Sequence, residues 1–173
     1  PAPGYYDHPP MVGWLLAAIT PVSSAAWALR LPVIVLPIAI AWGLQAALRH
    51  HDRDKAWLAA LGFLLLPINV WNVFITTDTP LVFFSFFAGL AWWQGRERRS
   101  LPLHVLAGVL LGGAFLSKYF SALLALVFLV DAALAPREER AWRGLVVTWL
   151  AATPFGLLNL WWNYEHCWAN FMF

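Results

Sequence analysis

Long apolar runs alternate with short basic clusters along this chain, and the alternation predicts a bundle of membrane-spanning helices. Residues 11–20 are apolar but fall short of the about 20 residues that a hydrocarbon core demands. With residues 23–29 they are expected to lie in the interface as juxtamembrane helices. A first span is predicted over 31–48, with Pro32 tolerated in its first turn. A second is predicted over 56–75 and carries Pro67, Asn69 and Asn72; these two amides are three apart, on one helix face. Thr76, Thr77 and Asp78 then form a turn, with Thr79 the expected N-cap of a helix that holds Pro80 in its first turn and runs through Trp93. Residues 103–135 fit either one long tilted helix or two short crossings, 104–116 and 119–133, that turn at Ser117 and Lys118. A last span is predicted over 145–162. With the two-crossing reading the total is six spans, and the chain shows no internal repeat.

Charge decides between the two readings of 103–135. Of the eleven Lys and Arg residues, nine fall in three clusters: Arg49, Arg53 and Lys55; Arg96, Arg98 and Arg99; Arg137, Arg140 and Arg143. Short basic loops stay on the cytoplasmic side. One long helix would carry the third cluster outside, whereas two short crossings keep it with the others. The remaining ionisable groups then sort to the opposite face: Asp7 and His8, Asp78, Lys118, and Glu165 with His166. Asp131 falls near the basic end of its helix, where pairing or exposure is expected.

Composition agrees. The chain is 61% hydrophobic and 12% charged, with a mean hydropathy of +0.66, against about 45–50% and about 25% in soluble domains. Twelve Trp and twelve Phe suit the aromatic belts of a bilayer protein. Topology accounts for the basic residues, so the net charge of +2 leaves no basic stripe for nucleic acid, and none is expected as a partner. The single cysteine, Cys167, excludes an internal disulfide and reads as a small, semi-buried filler. The chain opens on Pro1 in a turn-rich PAPGYYDHPP with no Met, and is read as an internal piece of a longer protein.

Each polar feature of the outer face has a structural and a chemical reading. A lysine within apolar sequence costs about 2.5–3.5 kcal/mol at a helix centre and less near its ends. Lys118 therefore either snorkels to the interface or contacts an anion, and a compact ammonium suits a phosphate oxygen. Asp78 precedes a helix, where the macrodipole favours a carboxylate; the same helix end, with the hydroxyls of Thr76, Thr77 and Thr79, also suits a phosphate. Asn69 and Asn72 read equally as interhelical glue or as site residues. Asp7 and His8 put a carboxylate and an imidazole on a proline-stiffened loop. Glu165 and His166 offer an acid/base or metal-binding group. Four such features on one predicted face point to a site there.

YYDHPPMVGWLL, TTDTPLVFF, GVLLGGAFLSKYFSALL and NLWWNYEHCWANF resemble, in that order, the bacterial branch of the protein-mannosyltransferase-like glycosyltransferases, which includes the aminoarabinose transferases of lipid A. The resemblance implies an all-α integral membrane protein with a GT-C-type multi-helix bundle. It also implies transfer of a sugar from a polyprenyl-phosphate donor, with inversion, to a lipid, glycan or protein acceptor on the outer side of a bacterial inner membrane. On this reading 1–173 is part of one transmembrane catalytic domain: 1–30 closes the first outer loop, 31–162 is the bundle, and 163–173 begins another outer loop. By resemblance Asp7 and Asp78 are the catalytic candidates, and His8, Lys118, Tyr6, Tyr119, Asn72 and Glu165 bind substrate. His166 is a candidate ligand for a divalent metal. The partners implied are the lipid-linked donor and membrane lipids. The family's early acidic motif, which carries the best candidate base, and its first transmembrane helix would lie before Pro1, so the chain alone is not expected to be active.

The rival class is a non-enzymatic bundle that transports or binds lipid. Transporters set ionisable groups near the midplane of paired repeats; here the charges gather at one face without a repeat, which favours the enzyme.

Overall fold

The structure, a computed structural model, describes residues 8–67, 69, 74–136 and 141–168. Among the described residues every regular element is a helix. The elements are α1 (Met11–Ile19), α2 (Ala26–Leu29), α3 (Leu31–Leu48), α4 (Arg53–Leu64), α5 (Asp78–Glu97) and α6 (Leu101–Phe115). A short 3₁₀ turn (Tyr119–Ser121) then leads into α7 (Ala122–Leu134), and α8 (Trp142–Glu165) follows. Two stretches, Ala26–Leu48 and Trp142–Glu165, are long and apolar enough to cross a membrane by themselves.

Helix α6 is the spine, packed most extensively on α5 and α8. Glycines make this possible. A Cβ at Gly108 would stand 2.2 Å from the carbonyl oxygen of Thr148, and one at Gly112 would stand 2.3 Å from the Phe155 ring. On the other side, a Cβ at Gly113 would meet Phe84 at 2.8 Å. Small residues four apart let two backbones approach closely, which holds helices together where lipid is as apolar as the side chains. The Thr148 hydroxyl adds a hydrogen bond to the His104 carbonyl at 3.0 Å. Ala88, Ala107 and Ala132 are fully buried beside them, and Trp92 stacks on Phe128 at 4.7 Å.

The periphery is apolar: Leu134 is 79% exposed, Trp42 74% and Leu150 65%. A water-soluble bundle would hide these side chains against its core; here they face outward as a lipid-facing surface would.

Direction along the bundle follows from three contacts. Pro32 and Val33, which open α3, line one crevice with Thr79 and Pro80, which open α5, so α3 and α5 run parallel. Asp131 near the end of α7 meets Arg96 near the end of α5, so α7 returns antiparallel to α6. Arg143 and Gly144, which open α8, lie with Arg96 and Arg99. The ends carrying the basic clusters therefore come together, with Arg137 and Arg140 outside the described residues.

The chain does break at Ser117 and Lys118, as the two-crossing reading requires. Other expectations need correction. The helix expected over 56–75 ends at Leu64: Pro67 has no amide proton to give the carbonyl of Phe63, and the Asn69 side chain donates to that carbonyl at 2.6 Å instead. Helix α5 begins at Asp78, two residues early, so Thr79 is buried in its first turn and Thr77 occupies the cap position without a side-chain bond. Helix α8 is longer than 145–162 at both ends and takes in Glu165. Cys167 is exposed rather than semi-buried, because the turn after α8 holds it at a positive φ of 54°.

Candidate active site

The end of the bundle opposite the basic clusters brings three separate segments together. At the close of α6 the chain turns through Leu116 and Ser117, whose hydroxyl returns to the Gly113 carbonyl at 2.8 Å. Lys118 then adopts an extended backbone, φ −163° and ψ 139°. Successive side chains on extended backbone point to opposite sides. Lys118 accordingly reaches α5 while Tyr119 reaches α8.

Lys118 Nζ donates to Asp78 Oδ1 at 2.7 Å, and their side chains are 30% and 45% exposed. The ammonium also lies 5.6 Å from the centre of the Phe120 ring. The Lys118 side chain is thus held by a carboxylate at a helix N-terminus. Asp78 is the first residue of α5, where the helix dipole favours its negative charge. Two ionised groups are thus fixed in a position that keeps contact with solvent, and an ammonium has three donors, of which Asp78 takes one.

On the other side, the Tyr119 hydroxyl donates to Asn159 Oδ1 at 3.2 Å. One turn along α8, Asn163 Nδ2 donates to the same oxygen at 3.2 Å and to the Asn159 carbonyl at 2.9 Å. Both asparagines are fully buried, and Asn159 Nδ2 finds no partner among the described residues. These two amides were not singled out in the sequence. Their signal was present in NLWWNYEH: two amides at i and i+4 lie on one helix face.

The N-terminal loop joins the same end. Met11 N donates to Leu116 O at 3.0 Å, which ties the loop two residues before Lys118. Pro9 and Pro10 are buried beneath it and His8 is exposed. Asp7 and Tyr6 lie outside the described residues, as does Asn72. Glu165 is exposed at the end of α8. His166 follows it, with Nδ1 at 2.8 Å from the Trp162 carbonyl and its ring stacked on Trp162 at 4.2 Å, which leaves Nε2 for any further partner. Among the described residues no three His, Cys, Asp or Glu side chains come close enough to hold a metal ion, so Glu165 and His166 do not make up a metal site by themselves. The structure thus joins Asp78, Lys118 and Tyr119 into one linked set and ties the loop of His8 to it.

A family model described as dolichyl-phosphate-mannose-protein mannosyltransferase matches residues 7–162, nearly the whole chain. The chain belongs to this family. Two similar curated proteins are both from Rhizobium johnstonii. A lipid A galacturonosyltransferase is 33% identical over 172 residues, covering 94% of this chain and 35% of its own length. A lipopolysaccharide core galacturonosyltransferase is 31% identical over 172 residues, covering 93% of this chain and 34% of its own. The chain therefore spans about a third of the length of these relatives. No solved structure matches it. The matched residues include Asp7, Asp78, Lys118, Tyr119 and Asn159.

Proposed function

We propose that the full-length protein is an integral membrane glycosyltransferase that moves a sugar from a polyprenyl-phosphate donor to a lipid-borne acceptor, with inversion, at the outer face of a bacterial inner membrane. The observation that carries this reading is the Lys118–Asp78 pair at 2.7 Å, set at the end of the bundle away from the basic clusters in a chain of this family. The names of the relatives point to galacturonic acid as the sugar and to lipid A or the lipopolysaccharide core as the acceptor. On this reading six segments cross, around 31–48, 56–75, 78–97, 101–116, 119–134 and 142–165, the second of them helical as far as Leu64. The short ones are accommodated by local thinning and burial within the bundle.

Chemically, the acceptor oxygen attacks the anomeric carbon from the face opposite the phosphate. The bond from that carbon to the phosphate oxygen breaks, its electron pair passes to the phosphate, and the configuration inverts. The phosphate gains negative charge in the transition state. A fixed ammonium aimed there stabilises that charge without rearranging at the moment of reaction. Asp78 keeps Lys118 in place, and Tyr119, clamped by Asn159, fixes the backbone from which Lys118 projects. A hydroxyl acceptor must also lose a proton to a base. Asp78 is engaged by Lys118, which leaves Asp7 as the candidate base in this chain; a phosphate acceptor needs none.

The test is transfer of radiolabelled sugar from a polyprenyl-phosphate donor in membranes carrying the full-length protein. Lys118→Ala is expected to cut transfer by about 10²–10³-fold while inserting normally. Wild-type donor consumption that ignored the substitution would remove Lys118 from the site.

A further inference from the structure

At the other end of the bundle a cavity of about 810 Å³ opens between the end of α5 and the starts of α6 and α8. Arg96, Arg99, Arg143 and His104 line it, with Glu97. Basic residues at this end are what topology alone would produce, but three features go beyond topology. The first is His104, which is 3% exposed although it carries a polar ring, and whose Nδ1 has no partner among the described residues. The fold makes room for it: a Cβ at Gly144 would stand 2.4 Å from His104 Nε2, and one at Gly95 would stand 3.2 Å away. Trp92 closes the ring from its edge at 4.9 Å.

The second is Arg99. Helix α5 ends in a Schellman turn, with Ser100 N bonded to Gly95 O at 2.9 Å and Arg99 N to Arg96 O at 3.3 Å. The residue at this position takes a left-handed conformation that glycine adopts freely. Here it is an arginine at φ 49°, which costs about 1 kcal/mol and turns that residue toward the cavity. The third is Arg96, fixed by Asp131 Oδ1 at 2.6 Å and so preorganised rather than free to wander. The rim is apolar, with Leu101 49% and Trp142 45% exposed.

We propose that this cavity, lined by Arg96, Arg99 and Arg143 beside the buried His104 ring, binds a phosphate-bearing anion. The half-exposed Leu101 and Trp142 favour a phospholipid headgroup whose acyl chains leave along the bundle, over a free phosphate. Guanidinium forks suit phosphate oxygens, and basic pockets between membrane helices take anionic headgroups. This site lies at the end opposite Lys118. It rests on the membrane placement proposed above and not on the transfer reaction.

The test uses full-length protein in nanodiscs of phosphatidylglycerol mixed with phosphatidylcholine, with retained lipid counted by native mass spectrometry. Wild type is expected to retain phosphatidylglycerol selectively. Arg99→Gln with Arg143→Gln is expected to lower that retention about 30-fold, from about 1 kcal/mol for each basic residue. If the double variant does not fold, Arg143→Gln alone is expected to lower it about fivefold. Displacement by excess inorganic phosphate would keep the phosphate site and assign it a soluble ligand. Equal retention in wild type and variants would overturn the proposal. Because no sugar donor is present, failure here leaves the transfer reaction standing, and failure of transfer leaves this result standing.

Discussion

Two ion pairs of nearly equal length sit at opposite ends of the bundle and do different work. Arg96 and Asp131 meet at 2.6 Å, but the Asp131 carboxylate also accepts from Trp92 Nε1 at 2.8 Å, and Trp92 is buried against Phe128. That carboxylate is committed on both oxygens and pins α7 to α5. Lys118 and Asp78 meet at 2.7 Å with greater exposure, and Asp78 holds the ammonium through one oxygen. The first pair locks α7 against α5. The second leaves the ammonium donors beyond the one Asp78 takes, which the proposed function assigns to the donor phosphate. Pair length does not separate a structural pair from a functional one; what else each partner must satisfy does.

The sharpest way to break this comparison is a double-mutant cycle on the Lys118 end. Asp78→Asn is expected to lower transfer about 10–100-fold. Lys118→Ala costs about 3–4 kcal/mol of transition-state stabilisation, and adding Asp78→Asn to it is expected to cost little more, since residues that act as a unit are not additive. Additive losses would show that Asp78 acts independently of the lysine, as a base in its own right.

A smaller effect is expected from the spine that connects the two ends. Gly108→Ala would drive a Cβ to 2.2 Å from the Thr148 carbonyl oxygen, a backbone atom that cannot swing away. A loss of about 3 kcal/mol in stability is expected, read as a fall in the midpoint of thermal unfolding in detergent. Gly62→Ala, where nothing stands within 4 Å, is the control and is expected to hold or gain stability. Equal behaviour at the two sites would mean that close approach of α6 and α8 does not hold the bundle.

Much of this was legible beforehand, and what was not has physical causes. The clusters of Arg and Lys gave the ends of α3 and α5, and the need to return Arg143 to the basic side required the break at Lys118. Pro67 was placed inside the span over 56–75, yet the helix stops at Leu64, because the Asn69 side chain takes the carbonyls that Pro67 leaves free. Asp78 and Lys118 were each singled out for their own surroundings; that they bond to each other across 40 residues is set by how α5 and α6 align, which no local pattern encodes. Asn159 and Asn163 lay inside an apolar stretch and passed as part of a motif, and the Gly108–Gly112 spacing passed in the same way. Both become visible only when the helix that faces them is known.

On the structural side of the comparison, Asp131→Ala would leave the Arg96 guanidinium and the Trp92 indole without their acceptor. Hydrogen bonds to a charged group contribute about 1.5–3 kcal/mol, and partial exposure of the pair lowers the yield, so about 2 kcal/mol of stability is expected to go. Transfer per folded molecule should stay within a few-fold of wild type. A variant of normal stability and reduced transfer would invert the assignment of the two pairs.

The smallest expected effect sharpens the functional end. Tyr119→Phe removes one hydroxyl and leaves the ring against Phe115, 5.4 Å away. Asn159 Oδ1 keeps its bond from Asn163 Nδ2, so no buried acceptor is stranded and stability should fall by only about 1 kcal/mol. If the hydroxyl serves to hold the backbone on which Lys118 is mounted, the loss should show in the rate at saturating donor more than in the donor concentration needed for half-saturation. Binding survives a loosely held lysine better than transition-state stabilisation does. The contrary split, weaker donor binding with an unchanged maximal rate, would mean that Tyr119 touches the donor itself, and that the amide pair of α8 positions a substrate contact rather than the cation.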